Sequence, residues 1–157
     1  ELTSSNAPLR GEKGSMYEGG LRVPFMMQWK GTLPAGRVDG RMIASVDILP
    51  TATVLAGGEV PSNLDGVDLM PFLVGDGKDA PHEELFWRQG GRTALRQGDW
   101  KLVNMTRNLD QPRWELYNIA ADLSEEEDLA ARQPDRVAQM EKEWKKWNGE
   151  MREPLFR

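Results

Sequence analysis

The chain has 157 residues, 39% of them hydrophobic, and its 25 acidic and 20 basic residues give a formal net charge of -5. This length and apolar content suffice for one ordinary hydrophobic core or two small ones, so disorder does not describe the whole chain. The basic residues are scattered singly along the sequence, which argues against a nucleic-acid-binding surface, and we predict no nucleic-acid partner.

Cysteine content and hydropathy exclude further classes of protein. The absence of Cys rules out a disulfide framework, a thiolate metal site and a thiol nucleophile within these residues. No apolar run approaches the roughly 20 residues that span a bilayer, so we predict no membrane partner. Residues 1–6 lack the basic start and apolar core of a signal peptide, so an export signal of a longer protein would lie upstream.

The first quarter of the chain combines an irregular segment with a predicted strand. Residues 1–23 are rich in Gly and small polar residues and show no sustained periodicity, which is typical of a long loop lining a site. Residues 24–29 form a short apolar run bounded by Pro24 and Lys30, which favours a strand buried on both faces. Residues 42–46 are also predicted to be extended.

Two short helices are predicted next. Asp47 can act as the N-cap of the first, Pro50 lies in its first turn, and Gly57 can supply a left-handed stop after about ten residues. Residues 68–74 repeat this arrangement, with Gly75 ending the second helix.

The polar residues 76–79 predict a boundary between residues 1–75 and residues 76–157. Beyond it, short runs with strand character occur at residues 84–88, 93–96, 100–104 and 114–118. Since residues 97–99 form a tight reverse turn and the last two runs alternate in polarity, we expect an antiparallel sheet with one solvated face.

A final helix is predicted to cover the other face of this sheet. Pro134 and Gly149 bracket the helix, and its apolar residues share one stripe: Val137, Met140, Trp144 and Trp147. Residues 124–127 fit a capping box that would start a short helical turn. The order of elements suggests either an α+β fold or the end of a larger α/β sheet, and periodicity does not choose between them.

Lys13 is the leading candidate for a functional side chain. It stands between Gly11 and Gly14 in the segment Arg10-Gly11-Glu12-Lys13-Gly14, where a sharp backbone turn could bring the ammonium group to a sulfate or phosphate oxygen. The pattern alone favours a solvated lysine on a flexible loop, and the sequence contains neither a P-loop nor a dinucleotide-binding motif.

Residues 8–24, which read Pro-Leu-Arg-Gly-Glu-Lys-Gly-Ser-Met-Tyr-Glu-Gly-Gly-Leu-Arg-Val-Pro, resemble a segment of the sulfatase family. The resemblance continues in family order through Trp29-Lys30-Gly31, Pro34-Ala35-Gly36, Ser45-Val46-Asp47-Ile48-Leu49-Pro50-Thr51, Leu55-Ala56-Gly57, Asp65-Gly66-Val67-Asp68-Leu69-Met70-Pro71, Gly98-Asp99-Trp100-Lys101-Leu102-Val103 and Glu115-Leu116-Tyr117-Asn118. Each motif is weak alone, but their order and spacing together are specific, and they cover nearly the whole chain.

The resemblance implies the C-terminal part of an α/β, alkaline-phosphatase-like fold. Residues 1–75 would end the large α/β domain and carry the active-site lysine loop. Residues 76–157 would form a small α+β subdomain, in which a four-stranded antiparallel sheet packs against the C-terminal helix. It also implies export of the intact protein to the periplasm, the cell exterior or the lysosome.

The implied activity is hydrolysis of the sulfate ester of a small molecule or a sulfated sugar, with Lys13 reaching the sulfate group. The formylglycine nucleophile and the calcium ion of the family would both lie outside this chain. No Cys/Ser-x-Pro-x-Arg motif occurs here, and residues 4–6 lack the carboxylates of the family's metal ligands, so we assign no metal ligand. The chain alone is therefore predicted to be inactive. The alternatives are a non-catalytic binding or scaffolding module and a phosphoesterase of the same superfamily.

Other candidate residues carry weaker signals. Glu18 and Arg22 are predicted to hold the loop through hydrogen bonds and ion pairs, and His82, the one histidine, is predicted to be a surface turn residue. Trp87 and Arg88 could bind a sugar or aryl sulfate, although packing is the simpler interpretation. Because the strands that would flank residues 24–29 in the parent fold are absent, we also expect self-association of the chain or a departure of residues 1–75 from the parental arrangement.

Overall fold

A computed structural model describes residues 5–75 and 79–152. These residues divide into two units, one formed by residues 5–24 together with 84–152 and the other by Phe25–Glu83. The sequence-based boundary grouped the first 24 residues with those that follow them, whereas the structure groups them with the sheet. The prediction that residues 1–75 end the large domain of a longer protein stays a prediction.

The predicted sheet is confirmed. Its strands run antiparallel in the order β1-β2-β3-β4 and comprise β1 Glu84–Gln89, β2 Arg92–Gln97, β3 Trp100–Asn104 and β4 Trp114–Asn118. Leu95 pairs with Leu102, and Leu102 pairs with Leu116, so one apolar row runs across β2, β3 and β4 on one face of the sheet. Gly98 adopts φ +55 in the turn between β2 and β3, a conformation that glycine reaches without steric cost.

The C-terminal helix covers that row, as predicted. Helix α4 spans Pro134–Glu150 and buries Met140 and Trp144 against the three leucines. Val137 packs at the edge of the same cluster, and the Trp147 ring stacks on Phe86 at 5.0 Å between centroids. This apolar contact is the main core of the sheet unit.

The opposite face of the sheet is covered too, so the expectation of a solvated face is wrong. Met16 packs there in a buried cluster with Ala94, Val103, Tyr117 and Ile119. The cover is the N-terminal segment with its single-turn helix α1, Glu18–Leu21. Strand alternation predicts one apolar and one polar face, but it cannot reveal that a distant segment supplies a second cover.

Residues 25–83 contain two short helices close to the predicted positions. A 3₁₀ turn at Ser45–Asp47 leads into α2, Ile48–Leu55, and α3 spans Met70–Val74. Gly57 follows α2 with φ +75, the left-handed stop expected there, whereas Gly75 after α3 is extended. The 3₁₀ turn also occupies the end of the stretch 42–46 that was predicted to be extended.

Two further predictions about local structure are wrong. Residues 24–29 form no strand, and Met26 is 91% exposed. The capping box at residues 124–127 does not form. Instead, the Asp122 carboxylate accepts hydrogen bonds from the backbone N–H groups of Glu126 and Glu127, and Glu125 turns inward with φ +55.

Candidate functional site

Lys13 lies at the tip of a tight turn. The Ser15 N–H donates to the Glu12 carbonyl at 2.9 Å, which closes a four-residue turn with Lys13 and Gly14 at its centre. Gly14 has φ +86, the positive value that the third position of a type II turn requires. The Lys13 side chain is exposed, and within the described ranges it makes no hydrogen bond or ion pair. The turn thus presents a free ammonium group to solvent.

The two ends of the Lys13 loop are joined below that tip. The Gly19 N–H donates to the Arg10 carbonyl at 2.7 Å, and the Asn6 side-chain amide donates to the Gly19 carbonyl at 2.9 Å. A Cβ atom at Gly19 would lie 2.4 Å from the Gly11 carbonyl oxygen, and one at Gly20 would lie 2.2 Å from the Ser15 carbonyl oxygen. The backbone passes too closely at these positions for any other residue.

The loop is also attached to the sheet unit. Arg92, at the start of β2, donates from Nη1 to the Gly14 carbonyl at 2.8 Å, directly after the lysine. The Met16 N–H points at Met105 Sδ at 3.4 Å, and the Met16 side chain is buried in the sheet cluster. The segment is irregular in secondary structure, but its backbone is held on both sides of Lys13.

A buried ion cluster lies where the loop ends. Lys101 on β3 is completely buried, and its Nζ lies 2.8 Å from Glu18 Oε1 and 2.8 Å from Glu125 Oε1. Glu125 Oε2 accepts the Glu18 N–H at 2.6 Å. Glu18 Oε2 also faces Arg22 Nη1 at 3.3 Å and Arg96 Nη1 at 3.8 Å. The hydrogen bonds and ion pairs predicted for Glu18 and Arg22 are present, and Glu18 is the residue that joins the loop to the sheet unit.

Burial sets the protonation preference of this cluster. Desolvation raises the pKa of the Glu125 carboxyl above its usual range, although Lys101 and the Glu18 N–H both favour its ionised form. Desolvation likewise lowers the pKa of Arg96, and the carboxylate of Glu18 opposes that effect. A cluster whose charges are this costly to bury keeps its shape only while its partners remain together.

A second polar network fastens the start of the loop. Arg10 Nη1 donates to the Tyr117 hydroxyl at 2.8 Å and to the Glu125 carbonyl at 2.9 Å, and its guanidinium carbon lies 3.9 Å from the centre of the Tyr17 ring. Both tyrosine hydroxyls donate to Glu115 Oε2, at 2.8 Å from Tyr17 and 2.5 Å from Tyr117. Burial and the Glu115 carboxylate raise the pKa of Tyr17 to about 12 and raise that of Tyr117 further.

Sequence reasoning missed Lys101, Glu125, Arg10 and Tyr117 as loop supports. Lys101 and Tyr117 stood inside motifs quoted for the family resemblance, but alternation of a strand gives no sign that a lysine points inward. Glu125 stood in an acidic run that resembled a helix start. A buried lysine is expected only when a carboxylate partner is buried beside it, and the partner Glu18 lies far away in the sequence.

Trp87 and Arg88 are held by contacts within the sheet unit. Trp87 packs against the cluster that contains Met16, and Arg88 donates to the Asn148 side chain and the Arg152 carbonyl. These contacts are those of a packed tryptophan and of an arginine that holds the end of α4. A substrate-binding role for the two residues stays a prediction.

His82 is not the surface residue that the sequence suggested. Its side chain is 9% exposed, and Nε2 lies 2.8 and 2.9 Å from the two carboxylate oxygens of Asp47, which is completely buried. The same carboxylate accepts the N–H groups of Ala44 at 2.7 Å and Val67 at 2.9 Å. Asp47 therefore organises residues 25–83 and does not cap the amides of its own helix.

Within residues 5–75 and 79–152, no three His, Cys, Asp or Glu side chains are grouped so that they could hold a metal ion. Nor does this part of the chain contain a helix long and apolar enough to cross a membrane.

The sequence is similar to a family model and to proteins of known activity. The family model for N-sulphoglucosamine sulphohydrolase, C-terminal, matches residues 11–152. Mouse steryl-sulfatase is 45% identical over 114 residues, covering 68% of this chain and 18% of that protein. Human arylsulfatase A is 41% identical over 100 residues, covering 59% and 19%. The chain thus spans about a fifth of the length of these relatives.

Solved structures agree with the sequence comparison. Ps i-CgsB in complex with k-i-k-neocarrahexaose has a TM-score of 0.83 and 30% identity, covering 98% of this chain and 34% of that protein. At 21% identity and a TM-score of 0.72, the Bacteroides thetaiotaomicron structure BT33336S-sulf shares the fold over 87% of this chain and 31% of its own. The four-stranded sheet and the C-terminal helix correspond to the small C-terminal subdomain of sulfatases. The chain belongs to the sulfatase family and forms part of its C-terminal portion.

Proposed function

We propose that the intact protein containing this chain hydrolyses sulfate monoesters, and that Lys13 is the contribution of this chain to the reaction. Family membership supports the reaction class. The observation that carries the proposal for Lys13 is an exposed ammonium group, without a partner in the described part of the chain, on a loop whose backbone is fixed on both sides. Such an ammonium group is ready to pair with an anion.

The role of Lys13 follows from its charge. An ammonium group donates hydrogen bonds to sulfate oxygens and lowers the free energy of the negative charge that they carry in the transition state. A fixed loop adds to this effect, because less conformational freedom is lost when the contact forms. The two neighbouring glycines leave room for a substrate to approach.

The formylglycine nucleophile and the calcium ion implied by the family would be held by other parts of the protein. The residues described here do not fit a metal site, so no step of the reaction is assigned to a metal through them. This chain has neither the motif that precedes formylglycine nor any Cys.

The proposed substrate class is a sulfated sugar or another small sulfate ester. Ps i-CgsB was solved in complex with k-i-k-neocarrahexaose. A second relative, which shares the fold at 24% identity and a TM-score of 0.50, was solved in complex with its substrate D-glucosamine-2-N,6-O-disulfate. Trp87 and Arg88 are proposed contacts for such a ligand, and export of the intact protein is proposed with the same family as support.

Turnover of matched esters tests the reaction class. The intact protein is expected to hydrolyse an aryl sulfate with a kcat/KM at least about a hundredfold above that for the corresponding aryl phosphate, because the proposed reaction is that of a sulfatase. The 157-residue chain alone is expected to hydrolyse neither. Preference for the phosphate would favour a phosphoesterase, and binding of the sulfate without turnover would favour a non-catalytic module. Either result would contradict the proposal.

A further inference from the structure

The charged group of Lys101 is completely buried and contacts other side chains of the protein. Its side chain is 0% exposed, and both of its carboxylate partners, Glu18 and Glu125, are buried with it at 2.8 Å. A buried ion pair is weak evidence for stability, because an apolar replacement of the whole cluster is often as stable. A buried ion cluster of one defined geometry is suited to fixing the positions of the segments that it joins.

The cluster acts on the backbone of the Lys13 loop at one residue. Glu18 is bound through its side chain to Lys101 and through its N–H to Glu125. The next residue, Gly19, donates to the Arg10 carbonyl and closes the loop that carries Lys13. Fixing Glu18 therefore fixes the closing point of the loop.

Glu125 adds a directional constraint. It adopts φ +55, which is uncommon for a residue with a side chain, and this turn aims its carboxylate at Lys101 and at the Glu18 N–H together. Its backbone carbonyl accepts Arg10 at the start of the loop. The two ends of the loop thus converge on Lys101 and Glu125, which belong to the sheet side of the unit.

We propose that Lys101 is a positioning residue for Lys13: by holding Glu18 and Glu125 together, it fixes the closing point of the loop and so the place where Lys13 meets the sulfate group. The claim that Lys13 meets a sulfate group rests on the proposed function. The claim that Lys101 holds the loop in place does not depend on that function.

Amide hydrogen exchange tests the loop directly. Lys101→Met removes the charge while keeping an unbranched side chain, and leaves two buried carboxylates facing one another. We expect the Gly19 N–H to exchange at least about tenfold faster, while the amides of β2, such as that of Leu95, change little, because β2 is paired with a strand on each side. Lys145→Met is the matched control, because Lys145 forms an exposed ion pair with Glu141 on α4 in the same unit.

Glu125→Gln keeps the test decisive if Lys101→Met does not fold. The two oxygens of Glu125 accept from different donors, so a glutamine would place its NH₂ group against either Lys101 or the Glu18 N–H and lose one of the two hydrogen bonds. The Gly19 N–H should again exchange faster, with the amides of β2 unchanged. Unchanged Gly19 exchange in whichever of the two variants folds would overturn the proposal.

Kinetics of the intact protein separate positioning from general stability. Lys101→Met is expected to lower kcat/KM for an aryl sulfate about tenfold when Lys13 is present, and less than about twofold in a Lys13→Ala background, because the two residues act through one contact. Equal losses in both backgrounds would overturn the positioning role. If Lys13→Ala itself left turnover unchanged, the proposed function of Lys13 would fail, while the exchange result would still decide whether Lys101 holds the loop.

Discussion

The two units of the chain use their apolar residues differently. In the sheet unit, both faces of the sheet are covered, and Leu102, Val103 and Trp144 are among a large set of buried apolar residues. In residues 25–83, Asp47 and Thr51 are buried with Leu69, and most of the large apolar side chains that are exposed belong to this unit. One unit is therefore held by an apolar core, and the other by hydrogen bonds around a buried carboxylate.

The largest effect should come from the core of the sheet unit. Trp144→Ala is expected to lower the free energy of unfolding of that unit by about 3–5 kcal/mol, because a buried indole is replaced by a cavity. Urea denaturation followed by far-UV circular dichroism would measure the loss. Lys145→Ala, one residue along α4 and 62% exposed at the side chain, should change stability by less than about 0.5 kcal/mol. An unchanged midpoint for Trp144→Ala would show that α4 does not pack as described.

A smaller effect is expected from the polar centre of residues 25–83. Asp47→Asn keeps the size of the side chain but cannot accept from Ala44, Val67 and His82 as the carboxylate does. We expect a loss of about 2 kcal/mol in that unit, read from faster exchange of the Val67 N–H. Asp65→Asn, at an exposed position in the same unit, should leave that exchange unchanged. Equal behaviour of the two variants would mean that Asp47 does not organise the unit.

The smallest expected effect concerns association of the chain. Phe25, Met26 and Trp29 are exposed together in one segment, which soluble proteins usually avoid. We predict that the isolated chain self-associates weakly, and that Phe25→Ser with Met26→Ser shifts it toward the monomer. Sedimentation velocity over a hundredfold range of concentration, a range suited to weak association, would measure the shift. A strict monomer before and after substitution would contradict this prediction.

Local patterns in the sequence were enough for the sheet and for α4. Trp100–Asn104 and Trp114–Asn118 have the predicted bounds, because polarity alternation and the turn at Gly98 are local signals. Helical periodicity was sufficient to predict that Met140 and Trp144 lie on the buried face of α4.

Features that depend on distant partners could not be predicted in this way. The ion pair between Lys101 and Glu18 joins residues 83 positions apart, and no local rule signals it. The apolar run at residues 24–29 was interpreted as a buried strand, since composition does not reveal whether a neighbouring strand is present to pair with it. For the candidate site, the glycines around Lys13 predicted a turn, whereas the anchors of that turn, such as Arg92, appeared only in the structure.

The role of Lys13 is the central claim, and one kinetic comparison tests it most directly. In the intact protein, Lys13→Ala is expected to lower kcat/KM for an aryl sulfate by about one to three orders of magnitude, or about 1.4–4 kcal/mol, because a charged contact to the transition state is lost. Lys30→Ala, which removes another exposed lysine, should leave kcat/KM within about twofold. A change of less than about threefold for Lys13→Ala, in a variant with normal folding, would contradict the account and make Lys13 an ordinary loop residue.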